Sequence, residues 1–99
     1  MTIEVVKLYV NDDIIPIDGF AQELIVCVIV GIISALKYND KAERIKISIT
    51  DNFVDMNINN TSISINTFVS KITKNTIIGM VSSLKGVGKI YKLEICINE

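Results

Sequence analysis

The stretch GFAQELIVCVIVGIISALKY, from Gly19 to Tyr38, decides how this chain folds. From Leu24 to Leu36 it is almost unbroken apolar sequence around Cys27, interrupted only by Gly31 and Ser34. Strands usually stop at about four to eight residues, so a run of this length predicts a helix. No polar side is left to face water. The helix is therefore expected to be buried all round, under a sheet on one side and a second helix or subunit on the other. Cys27, Gly31 and Ala35 fall four apart on one face, a stripe of small residues that would let another backbone approach closely.

On either side of that helix the pattern changes to period two. Thr2 to Val10 reads as a strand, Asn11-Asp12-Asp13 as a turn, and Ile14 to Ile17 as a second strand that Pro16 places at a sheet edge. Asp18-Gly19 breaks the alternation, and a loop through Gln22 leads into the helix. Lys37 and Asn39 close the helix, with Asn39 as its left-handed cap. Arg44 to Thr50 and Phe53 to Ile58 form a hairpin about Asp51-Asn52, which Asn59-Asn60-Thr61 ends. Residues 62–66, SISIN, extend that strand or form a loop. Helical spacing returns from Thr67 to Leu84, with Phe68, Ile72, Ile77, Met80, Val81 and Leu84 on one stripe and Asn75 as cap of a second piece. Gly86 and Gly88 stop it, and Ile90 to Ile97 is the last strand. The order ββ–α–ββ–α–β predicts a two-layer α+β domain over residues 1–99, a mixed sheet packed against two helices. No repeat, linker or low-complexity segment is evident.

Composition narrows the function classes. Of the 99 residues 20 are isoleucine, the charges nearly cancel at 10 basic against 11 acidic, and histidine is absent. No basic stripe marks a nucleic-acid binder, and the apolar run is short of the roughly 20 residues that span a bilayer. MTIEVVKLYV alternates like a strand and does not resemble a signal peptide. A cytoplasmic protein with Cys27 and Cys96 as free thiols is expected, with no metal and no cofactor. The absence of histidine removes the commonest general base. Taken on their own residues, Cys27 reads as a small core side chain and Cys96 as ordinary strand packing or surface.

Gly19-Phe20-Ala21, followed by Cys27 within IVCVIVGIISAL, resembles the Gly-His-Ala…Cys signature of the ribosomal-processing cysteine proteases, the Prp or YsxB family. The C-terminal IIGMVSSLKGVGKIYKLEICINE is similar to that family's second helix and final strand. The resemblance implies a homodimeric bacterial endopeptidase that trims the N-terminal segment of a large-subunit ribosomal protein. It places the nucleophile at Cys27 and puts Phe20 where the family has its histidine. Gly31 stands at an often-serine position, Leu24 at an often-acidic one, and Gly19 and Ala21 beside the substrate peptide. For Phe20 the residue chemistry suggests a hydrophobic plug in the pocket of the missing imidazole. For Gly19 it leaves a backbone turn and a peptide contact both open. A protease without histidine lacks the group that makes the thiolate and protonates the leaving amine, a role worth about 10²–10⁴ in rate. The expectation is therefore a degenerate, non-proteolytic homologue that keeps the dimer and a peptide groove. The alternatives are an active cysteine endopeptidase with an unusual base and a small structural dimer with no ligand.

Overall fold

Six short strands place every second side chain on one apolar face, and two helices cover that face. The computed structural model describes residues 5–38 and 40–98. The order is β1 (Val6–Val10), β2 (Asp13–Ile14), α1 (Gly19–Ala35), β3 (Ile45–Thr50), β4 (Phe53–Ile58), β5 (Thr61–Ile63), α2 (Thr67–Ser82) and β6 (Lys92–Ile97). They form one sheet in the order β2-β1-β6-β3-β4-β5. Leu8 and Val10, Ile45, Ile47 and Ile49, Val54, Met56 and Ile58, and Leu93, Ile95 and Ile97 point inward onto Ile25, Ile29, Ile33, Ile77 and Val81 of the helices. The opposite sheet face carries Lys7, Tyr9, Lys46, Ser48, Asp55 and Glu94.

The α+β class and the two helices agree with the pattern of the sequence, and the details correct it. Every strand pair is antiparallel, so the sheet is not mixed. SISIN contributes to a sixth strand, because Asn59 and Asn60, at φ 52° and 67°, turn the chain back onto β4. The second strand is only Asp13–Ile14, though it does lie at the edge that Pro16 implied. The start of the first strand and the Asn39 cap fall on residues outside those described. The left-handed position after α1 belongs to Lys37, at φ 60°. Helix α1 begins at Gly19, earlier than the expected loop through Gln22, because the Asp18 carboxylate accepts the Ala21 N–H at 2.8 Å. Helix α2 is continuous. Its cap is Asn66, which accepts the Val69 N–H at 2.8 Å, and Asn75 lies inside it.

The pairing also reveals a repeat that the sequence pattern does not. Adding 48 to a residue number in the first half gives its structural counterpart in the second. The pair Tyr9↔Ile14 becomes Asn57↔Ser62, Val10↔Asp13 becomes Ile58↔Thr61, and Leu8↔Ile95 maps onto Met56↔Ile47. The two halves are each ββαβ and are related by a pseudo-twofold axis between β3 and β6, where Ile47 pairs with its own counterpart Ile95. Each half gives its last strand to the other half. The axis makes α1 and α2 antiparallel.

Two asparagines lock this exchange. Asn11, at φ 52°, donates its N–H to Lys92 O and its Nδ2 to Lys89 O, and its Oδ1 accepts the Tyr91 and Lys92 N–H groups. Asn59, also at φ 52°, donates to Arg44 O and Lys41 O and accepts from Glu43 and Arg44. All the partners are related by the same shift. A short amide that tolerates left-handed backbone and can both donate and accept suits this position. Asn11→Ala and Asn59→Ala are each expected to lower stability by about 1–2 kcal/mol in urea unfolding. Glycine at either site, which keeps the backbone but loses the amide, will recover only part of that loss.

One core position breaks the symmetry. Thr73 occupies the place of Ile25, is fully buried, and its hydroxyl has no hydrogen-bond partner. Thr73→Val keeps the shape and removes an unsatisfied polar atom, so a gain of about 1 kcal/mol in denaturant unfolding is expected.

Candidate functional site

The side chains singled out by the sequence lie on the outside of α1. Only Ala21, Ile25, Ile29 and Ile33 of this helix are buried, which corrects the expectation of a helix covered on all sides. They recur every four residues and meet the sheet. At 100° per residue Phe20, Leu24, Cys27, Gly31 and Ala35 fall on the opposite face, and all five are exposed. Cys27 is therefore neither a core residue nor enclosed by its apolar neighbours. Phe20 is 76 % exposed and plugs no pocket.

The geometry separates Phe20 from Cys27. They lie seven residues apart in one uninterrupted helix, an axial rise of about 10.5 Å, so a base at position 20 cannot reach the thiol of its own chain. Gly19 and Ala21 belong to the first helical turn, and the Ala21 N–H is already taken by Asp18. Among the described residues no side chain forms a hydrogen bond or ion pair with the Cys27 thiol. None forms a cluster of three or more metal-ligating groups.

Cys27 does line an apolar groove of about 470 Å³ between the helices. The second half of α1 supplies Val28, Gly31 and Ile32, and the first half of α2 supplies Phe68 and Ile72. A larger depression of about 520 Å³, beside Asn52, Lys71 and Lys74, lies away from the thiol. Cys96 is buried on the other side of the sheet, where its Sγ lies 3.9 Å from Glu94 Oε1. Lys46 lies 4.0 Å from Glu94 on the same face. The Lys92 amine is held above its usual value by a hydrogen bond from it to Asp12 and by the charge of that carboxylate, so it is fully charged at neutral pH and offers no base.

The second helix repeats the outer face of the first. Phe68, Ile72, Asn75, Gly79 and Ser83 are the counterparts of Phe20, Leu24, Cys27, Gly31 and Ala35, and Phe68 is 71 % exposed. This corrects the expected single α2 stripe: Phe68 and Ile72 are exposed, whereas Ile77 and Val81 are buried. The sequence did hold the signal: both helices read Phe-x-x-charge-aliphatic, with Glu23 in one and Lys71 in the other. A Cβ added at Gly31 or Gly79 would meet nothing within 4 Å. Glycine inside a helix costs about 1 kcal/mol relative to alanine, and no close approach among the described residues requires it at either place.

Fold and site together define a two-layer α+β domain with an internal twofold and an exposed apolar helical face. Compared with family models, with curated proteins and with solved structures, the chain matches none. No helix among the described residues is long and apolar enough to cross a membrane. If Phe20 marks the place of a lost catalytic base, restoring an imidazole there will change the thiol's chemistry. The helical spacing predicts the contrary: in a Cys96→Ser background, Phe20→His leaves the pH dependence of iodoacetamide labelling at Cys27 unchanged.

Proposed function

We propose that this chain is a non-catalytic association domain, a degenerate homologue of the ribosomal-processing cysteine proteases that keeps a thiol at the nucleophile position without its chemistry. One observation carries the reading. Cys27 stands on an exposed helix face where, among the described residues, no hydrogen bond or ion pair to its thiol is formed, and the residue in the histidine position is two turns away. A thiol needs a base to ionise and an acid to release the amine, and with no histidine in the chain the usual group for both roles is missing. The placement of the motif at the start of a helix that follows an N-terminal hairpin supports the kinship. The repeat supplies a separate reason for Phe20, since Phe68 fills the same position where the partner of Cys27 is Asn75.

What the face does offer is apolar surface and a groove, which suit binding. A second copy or an extended peptide, such as the N-terminal segment of a large-subunit ribosomal protein, fits that chemistry. The protein is expected to leave a peptide spanning such a cleavage site intact over hours, and Cys27→Ala is expected to behave identically. Cleavage by the wild type that disappears in Cys27→Ala would make the chain a protease with a base other than histidine, and the proposal would fail.

A further inference from the structure

We infer that the end of the molecule where the β3–β4 turn meets α2 binds a single strand of nucleic acid. The surface lies away from Cys27 and goes beyond the association reading, on which it does not depend.

Charge is spread unevenly along the chain. Residues 61–93 hold five lysines and no acidic residue, whereas residues 1–60 hold five basic and nine acidic ones. Such an imbalance inside a nearly neutral chain marks one part of it for anions. The five lysines are too scattered to read as a basic stripe in the sequence, and the fold gathers three of them. Two depressions, of about 520 and 390 Å³, share Asn52 and Lys74 and so adjoin along the flank of α2. Lys74 donates to Asn52 Oδ1 at 2.7 Å, which holds its ammonium where the two meet. Lys71, three residues earlier, lines the first depression and makes no hydrogen bond or ion pair with any described residue. Lys89 stands beside the second, 5.2 Å from the centroid of the Tyr91 ring. Asp51 is the one carboxylate lining either depression among the described residues. Lys92, by contrast, is paired with Asp12 at 3.0 Å.

Two aromatic rings decide which anion fits. Phe53 lines the first depression and is 70 % exposed, and Tyr91 lines the second and is 63 % exposed. A groove with cations for the phosphates and open rings for the bases is how single strands are held without regard to sequence. An acidic peptide would engage the lysines and leave both rings unused. A duplex keeps its bases stacked on one another and offers them to neither ring.

The internal repeat serves as a control on packing. The counterparts of Phe53, Lys71, Lys74 and Tyr91 in the first half are Val5, Glu23, Val26 and Glu43. The same ββαβ unit is built there with no ring and no lysine at any of these places. The rings and cations of the second half therefore answer to something other than the fold.

Fluorescence anisotropy of a labelled oligouridylate or oligothymidylate of about 12 nucleotides, titrated with the full chain at about 50 mM salt, tests this. Binding of either strand is expected, tighter than that of a duplex of the same length or of a labelled oligoglutamate. Neutralising about three phosphates predicts a roughly twentyfold loss of affinity between about 50 and 200 mM salt. Lys71→Gln with Lys74→Gln is expected to flatten the slope of log K against log salt by about 1.4, and Phe53→Leu to weaken binding about tenfold while Phe53→Tyr restores it. Lys41→Gln, the counterpart of Lys89→Gln in the other half, is expected to leave binding unchanged where Lys89→Gln weakens it. Thermal melting of each variant separates loss of binding from loss of fold. No anisotropy change with either strand would overturn the inference, as would equal binding of oligoglutamate or folded Phe53→Leu protein that binds as the wild type does. None of these outcomes bears on whether the chain cleaves a peptide.

Discussion

The structure depends on the antiparallel pairing of β3 with β6. Ile45, Ile47 and Ile49 of one half meet Ile97, Ile95 and Leu93 of the other along the middle of the sheet. Through this seam each half completes the other. The β1–β2 hairpin finds its third strand in β6, and the β4–β5 hairpin finds its own in β3. A two-stranded hairpin is marginal alone in water and gains stability when a third strand and a covering helix are added. Each half has its own helix, but the third strand of its hairpin comes from the other half. The apolar side chains from both halves accordingly form one continuous core.

The same seam explains where the chain spends its polar chemistry. A strand that enters the other half's sheet must be set in register at its start, because a slip of one residue would turn the isoleucine face to water. Asn11 and Asn59 stand at those entries and bind the backbone of the incoming segment with both ends of the amide. These are the most elaborate side-chain hydrogen bonds described in the molecule. They serve strand register, and none surrounds Cys27.

Where the halves agree and where they differ separates scaffold from incident. Asn11 and Asn59, Phe20 and Phe68, Gly31 and Gly79 agree, and each belongs to a strand entry or to the outer helical face. Cys27 opposes Asn75, and Cys96 opposes Ser48, so neither thiol occupies a position that the repeated fold demands. Leu36 and Leu84, which follow the helices, agree as well, in keeping with shared packing against the core.

Local chemistry, as written in the residues, determined the alternating strands, the turns at Asn11-Asp12, Asp51-Asn52 and Asn59-Asn60, two helices, and hence an α+β class. Those features depend on neighbours within a few positions, on side-chain period and on backbone torsion. The choice of β6 as the strand between β1 and β3, and with it the wholly antiparallel sheet, was decided by tertiary pairing between residues far apart in the chain. The repeat escaped the sequence pattern because its identities are sparse and one half substitutes freely at exposed and core sites, as Thr73 for Ile25 and Lys71 for Glu23. It became visible through hydrogen bonds related by a constant shift. Apolar content likewise marked α1 as a helix to be covered, but only the packed structure shows which face the sheet takes. A two-layer domain has one layer of helices, and nothing among the described residues covers the side of that layer away from the sheet.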